Sequence, residues 1–401
     1  TPTNLVNGTA LAANVTSYNP DPDMALETTF YWQVVPYNPI SPAADCPIWS
    51  FTTASYPLTG EKTIGTGGDY ETFTAAVNEL NAAGVGENGV TFNVLAQDFV
   101  EDIPIITASG TSANPIIFQK APATRTNPVI KPTDVHGIRI TGGDHITFDG
   151  IDITRNGAGA DYGYHILGAS ATNGAQYNTI KNCTITLDKT DTSTKGIYLH
   201  YGSTPSSAEN ASSYNKIQNV TVNNSTQGII AYSLTHPMIG TEISGCTLGA
   251  DTAGDMGGAT TGCGIDAYQQ RNIKIFNNTI RNFTTTSTVY GIYLSSGSTD
   301  GVDFSNDIYG NTVHTLNNNS TNSSCYGIYA SSITGNLNVH SNKVYSIGST
   351  GNSTGFVHGV YVYLSSSGTN IAKVFNNMVW DIYSGYTGTG STSYLATGIY
   401  L

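Results

Sequence analysis

The chain has 401 residues, with 15 Lys and Arg against 28 Asp and Glu, a formal charge of −13 and only 11% charged residues. That balance argues against nucleic acid or an anionic membrane as partner, since both attract basic surfaces, and no apolar run approaches the roughly 18 residues of a membrane span. The five cysteines, Cys46, Cys183, Cys246, Cys263 and Cys325, are odd in number and lack CxxC or Cys/His ligand spacing, which argues against a disulfide framework or zinc site and predicts unbridged, mostly buried thiols.

Residues 1–53 differ from the rest. Phe30, Trp32 and Val34 alternate with Tyr31 and Gln33 across Thr29 to Asn38, and Trp49 to Thr53 follow, a period-2 pattern that predicts sandwich strands. These stretches resemble the last strands of a fibronectin type III domain, which implies a partial β-sandwich: either its other half precedes residue 1 or these strands pack on something else. Residues 54–64 read as a linker. Gly65 to Tyr70 then lead into Phe73, Ala76, Val77 and Leu80, whose i, i+3, i+4, i+7 spacing predicts a short amphipathic helix ended by Gly84. Val90 to Leu95, Ile103 to Ile106 and Pro115 to Gln119 read as the first strands, so 65–130 forms a cap for the open end of a repeat structure. This lead, helix and strand resemble the N-terminal cap of pectin esterases and of many repeat proteins exported by bacteria, although the esterase catalytic signatures do not follow.

From Gly137 a repeat sets in. Gly196-Ile197-Tyr198-Leu199 returns at Gly291, Gly327, Gly359 and Gly398, with looser copies at Gly137, Gly163, Gly228 and Gly264, a mean period of about 33 residues that signals a solenoid. The residues one and three after each glycine are apolar and face in; the one between is Arg139, His165, Tyr198, Ile230, Asp266, Tyr293, Tyr329, Tyr361 or Tyr400 and faces out. A second motif, aliphatic-x-(Asn/Gly/Ser)-(Asn/Cys/Val)-x-aliphatic, keeps step from Ile180 to Val379. Its fourth position holds Cys183, Val220, Cys246, Asn278, Asn311, Asn342 and Asn377, which predicts a column at a bend, with asparagines hydrogen-bonded up the stack. Cys183 and Cys246 stand two coils apart in that column, roughly 9.6 Å, too far for a bridge.

These residues resemble the right-handed parallel β-helix of the pectate-lyase-like superfamily. The resemblance implies an all-β chain: a solenoid of about eight to nine or more coils over 65–401, with a short N-terminal capping helix and a partial β-sandwich before it. The strand at Leu401 has no cover in the sequence, so further coils, or a cap and sorting domain of the type IX secretion kind, are expected beyond it. Few charges and abundant Asn, Ser and Thr match a protein that is secreted or on the surface of a bacterium, with other domains of a longer chain and secretion machinery as partners.

The chemistry is sparser. Lyases of this fold need calcium-holding carboxylates with an Arg or Lys base, and hydrolases need paired carboxylates; the linear signatures of both are absent. Asp144, Asp149 and Asp152, near Arg139 and Arg155, read as turn and strand-face residues. Asp251 and Asp255 are candidates for a calcium site, weighed against a solvated acidic loop; otherwise no cofactor is expected. Thr252, in Asp251-Thr252-Ala253, resembles an O-glycosylation motif of exported bacterial proteins. The eight histidines look scattered, as surface and turn residues. Tyr198, Tyr293, Tyr329, Tyr361 and Tyr400 are the candidate ligand-binding residues: an aromatic column that either stacks on sugar rings or packs ring on ring. The sequence thus points to a non-enzymatic stalk or adhesin that binds polysaccharide or a cell-surface glycan, with a polysaccharide lyase or glycoside hydrolase as the alternative.

Overall fold

The computed structural model describes residues 24–33, 35, 45–53, 55–157, 159, 161–295, 304–351, 354–365, 370–386 and 396–401. Among these, the chain from Leu58 onward winds into a parallel β-helix of three long sheets. Sheet 1 has eleven strands, from Leu58–Ile64 to Ala372–Phe375. Sheet 2 also has eleven, from Asp98–Phe99 to Met378–Ser384, and sheet 3 has nine, from His136–Thr141 to Ala396–Tyr400. The nine strands of sheet 3 are the nine glycine-headed segments of the sequence.

Strict register stacks like on like. In sheet 1, Ile180, Ile217, Ile243, Ile275, Ile308, Val339 and Val374 are successive partners. In sheet 3, Ile197, Ile229, Ile265, Ile292, Ile328, Val360 and Ile399 do the same. Each coil thus buries its aliphatics against those of the coils above and below, so the core is a line of stacks with no globular centre. At the N-terminal end the sheet 1 stack becomes aromatic: Phe92, Phe118 and Phe148 lie ring on ring at 4.6 and 4.8 Å.

The expected helix runs Phe73–Ala83, with Thr72 as its N-cap, Gly84 as its C-cap, and Phe73, Ala76, Val77 and Leu80 as its buried face. Glu101 closes its first turn, accepting from the amides of Phe73 and Thr74 and from the Thr74 hydroxyl. Residues 54–64 are more than a linker, because Leu58–Ile64 is the first strand of sheet 1 and pairs in parallel with Val85–Val94. Its polar alternation, with Leu58 and Ile64 buried at its two ends, hid it from hydrophobic patterning. Ile103 to Ile106 form no strand beyond a bridge from Ile106 to Ile140, while Asp98–Phe99 opens sheet 2.

The bend between sheets 1 and 2 carries the expected asparagine column. Asn278, Asn311 and Asn342 each donate from Nδ2 to the Oδ1 of the next asparagine, at 3.0, 3.0 and 2.9 Å, ending on Asn377. Each also donates to a sheet 1 carbonyl of the preceding coil: Ile243, Ile275 and Ile308 respectively. The residue before the column is left-handed in coil after coil, at Asn182, Asn219, Gly245, Asn277, Gly310, Ser341 and Asn376, which explains the Asn, Gly or Ser preference there. Cys183, Cys246, Cys263 and Cys325 are unbridged and buried. Before the solenoid, Thr29–Trp32 pairs antiparallel with Trp49–Thr52, bringing Phe30 to Phe51 and Trp32 to Trp49. Val34 and the rest of the expected sandwich lie outside the described residues.

Candidate functional site

The outer face of sheet 3 owes its form to the glycines. A Cβ on Gly163, Gly228, Gly264, Gly291 or Gly327 would lie 2.4 to 2.5 Å from the carbonyl oxygen of the next coil's glycine, and aliphatic side chains of sheet 2 press from within. Only glycine fits. Because the glycine and the residue after it both turn inward, the residue before the glycine and the second one after it both project outward. The face therefore has two columns. One runs His136, Tyr162, Lys195, Gln227, Cys263, Tyr290, Tyr326 and His358. The other is the one read from the sequence.

All five candidate tyrosines lie in that second column. Tyr293, Tyr329, Tyr361 and Tyr400 are successive partners, whereas Ile230 and Asp266 separate Tyr198 from them. Tyr329 stacks on Tyr361 at 4.8 Å and Tyr361 on Tyr400 at 5.2 Å, nearly parallel. The ring-on-ring alternative holds here, since a ligand cannot enter between stacked rings; what the column offers outward is ring edges and phenol oxygens. Similar stacks occur on the other sheets, Phe276, Tyr309, His340 and Phe375 on sheet 1 and His314, Tyr345 and Trp380 on sheet 2, so stacking alone does not single out a site.

Unmet hydrogen-bonding capacity does. Among the described residues, Arg139 Nε, Thr141 Oγ1, His165 Nε2, Asp266 Oδ1 and His358 Nδ1 are sealed from solvent without a partner and project from the outer face of sheet 3, while Asn223 Oδ1 is in the same condition on sheet 2. A buried polar atom left unpaired costs about 1–3 kcal/mol, so such a concentration marks where a ligand or ordered water belongs. Asp266 is strongly perturbed: burial alone raises its carboxyl from 3.8 to about 7. Burial, with Tyr162 and other neighbours, pushes the Tyr198 phenol well above its ordinary value. His165 falls to about 3 through burial and the bases around it, and burial lowers Lys195 and His200.

The structure brings together histidines that look scattered in the sequence. His136, His165, His200 and His358 share this face, and the Nδ1 atoms of His136 and His165 are 3.3 Å apart. Sequence reasoning also missed Asp266, visible only as one member of a mixed outward set, and the column preceding the glycines, whose aromatic content at Tyr162, Tyr290 and Tyr326 was a readable signal.

The other candidates are dispersed. Asp149 accepts from Asn182 and pairs with Lys181, Asp152 accepts from Thr184 and Asn127, and Asp144 accepts from the Gln176 amide. Arg155 pairs with Asp191. Asp251 pairs with Arg281, and Asp255 Oδ2 accepts from the amides of Asn224 and Ala250. Thr252 is exposed in the same turn. No group of three or more His, Cys, Asp or Glu among the described residues is placed to hold a metal ion, and no helix among them is long and apolar enough to cross a membrane.

A scan of protein-family models gives no match, nor does a search of curated proteins. Solved structures give similar chains. One is a GH136 lacto-N-biosidase from Eubacterium ramulus, 12% identical with a TM-score of 0.42, covering 79% of this chain and 67% of that one. Another is a rhamnogalacturonan lyase, also 12% identical with a TM-score of 0.42, covering 83% of this chain and 89% of that one. At that identity and overlap neither bears on what this chain binds.

Proposed function

We propose that the chain is a non-catalytic repeat module of a secreted or cell-surface protein, a stalk or adhesin of the pectate-lyase-like type, whose sheet 3 face binds a polysaccharide along the solenoid axis. The observation that carries this reading is Asp266: a carboxyl on the outer face, between Ile230 and Tyr293 in register, with a sealed oxygen that has no partner. Protonated it donates to a sugar hydroxyl and ionised it accepts from one, while the flanking tyrosines supply hydroxyls and apolar edges. A repeating surface suits a repeating ligand. Residues 1–53 would then belong to a neighbouring fibronectin type III-like module, and Thr252 would be the place for an attached glycan.

One feature favours the enzyme alternative. A carboxyl near 7 is in the right state for a general acid. Hydrolysis also needs a second carboxylate within about 5–10 Å, however, and neither register neighbour of Asp266, Ile230 or Tyr293, supplies one.

The test is a screen of the chain and of Asp266→Asn against neutral and acidic polysaccharides, by affinity electrophoresis and by assay for new reducing or unsaturated ends. Binding without new ends, weakened in Asp266→Asn, is the expected result. New ends that vanish in the variant would establish the enzyme, and the absence of binding to any polysaccharide would overturn both readings.

A further inference from the structure

Three successive strands of sheet 3, His136–Thr141, Tyr162–Leu167 and Lys195–His200, gather bases on their outer face. Of 15 Lys and Arg and eight His in this acidic chain, two of the former and three of the latter meet here: Arg139, Lys195, His136, His165 and His200. Arg139 is the register partner of His165, and Lys195 Nζ stands 5.1 and 5.3 Å from the ring centres of Tyr162 and Tyr198. After burial, the charges of His136, Arg139, His200 and Lys195 all depress His165. The carboxylates felt by this cluster are Asp134 and Asp161, which act on His136, and Asp161, which acts on Lys195.

Two side-chain nitrogens here have no partner. Arg139 Nε is buried without a partner, and so is Nε2 of His165, a residue only 9% exposed. When the Nδ1–H of His136 donates to Nδ1 of His165 across their 3.3 Å, the His165 proton sits on Nε2. That leaves two N–H groups on adjacent strands, both lacking an acceptor, with the Lys195 charge acting on His165 from the next strand. An oxyanion answers the unmet donors.

We propose that this cluster is an anion subsite for the carboxylate or sulfate group of an acidic saccharide, with Arg139 and His165 as donors and Lys195 as the flanking charge. The proposal rests on the reading of the sheet 3 face as glycan-binding, and it assigns the acidic unit to the end opposite the tyrosine stack.

The test is calorimetric titration of the full chain and of Arg139→Ala with five probes: sodium sulfate, sodium acetate, and neutral, uronate and sulfated polysaccharides of similar length. The acidic polysaccharides should bind at least about tenfold more tightly than the neutral one, more weakly as salt rises, and Arg139→Ala should remove that margin. Whichever acidic polymer binds better identifies the group. Equal binding of neutral and acidic polymers, unchanged in Arg139→Ala, would overturn the subsite and leave the glycan-binding reading intact. Sulfate or acetate binding that Arg139→Ala abolishes, with no polysaccharide bound, would support the subsite and sink that reading. Should the variant misfold, sulfate-dependent nitrogen shifts of His165 in the unaltered chain support the subsite, and their absence at saturating sulfate overturns it.

Discussion

Asp266 and Tyr293 are register partners on adjacent strands of sheet 3, so the carboxyl meets an aromatic ring where an outward strand residue would ordinarily meet water. Ile230 flanks it on the other side. Burial raises its pKa from 3.8 to about 7, and the folded chain therefore keeps a proton that the unfolded chain releases. The sign follows directly: this group penalises folding as pH rises from about 4 to about 7, and the penalty is constant above that. The interval corresponds to at most about 4 kcal/mol. Asp266→Asn should leave stability near pH 4 little altered and raise it at pH 8. Denaturant unfolding of both chains at the two pH values measures the difference, and parallel pH profiles would refute it.

The asparagine column makes a second prediction. Asn311 Oδ1 accepts from both the backbone and side-chain nitrogens of Asn278, and its own Nδ2 donates to Ile275 and Asn342. It is fully buried. Asn311→Ala strands several partners at once and should cost about 3 kcal/mol or more. Asn377→Ala, at a half-buried position, should cost less. Thermal unfolding midpoints of the two variants rank them, and an equal loss would show that the bends do not depend on burial.

The glycines of sheet 3 allow a paired comparison. A Cβ at Gly291 would lie 2.4 Å from Val313 Cγ1 and 2.5 Å from the Gly327 oxygen, whereas one at Gly398 meets only Val379 Cγ1, at 3.7 Å. A backbone carbonyl held in a parallel ladder cannot retreat. Gly291→Ala should therefore destabilise by about 3 kcal/mol, the upper part of the usual overpacking range, and Gly398→Ala by less than about 1. Circular-dichroism melts suffice to check this, and tolerance of alanine at Gly291 would mean that the strands can spread.

The contrast between Gly291 and Asp266 shows what was legible in the sequence. The period, the inward stacks and the Asn278 to Asn377 column could be read because identical residues recur wherever a coil poses the same steric problem. Asp266 poses the opposite case. Its column position is predictable, yet its protonation state depends on Ile230 and Tyr293, one coil away on either side, and no single repeat contains that information. The His136 and His165 pair was unreadable for the same reason: 29 residues separate two ring nitrogens that the parallel register brings to 3.3 Å. Leu58–Ile64 escaped because a first strand has a neighbour on one side only, so its outward residues outnumber its buried ones.

The lid offers a final prediction. Glu101 is the acceptor for the first-turn amides of Phe73 and Thr74, at 3.0 and 2.8 Å, and for the Thr74 hydroxyl at 2.6 Å, while Thr72 serves Ala75. A carboxylate at a helix N-terminus meets both unsatisfied amides and the positive end of the macrodipole. Glu101→Ala should cost about 1–2 kcal/mol, and Glu101→Gln should recover part of that by keeping one acceptor. The loss should be local, because the helix covers Phe99 and Phe118 of the first coils through Phe73 while later coils rest on their own neighbours. Hydrogen exchange tests this. Glu101→Ala should speed exchange in Phe73–Ala83 and Val85–Val94 while leaving Cys325–Ile333 protected, and uniform acceleration along the chain would show that the coils unfold as one unit.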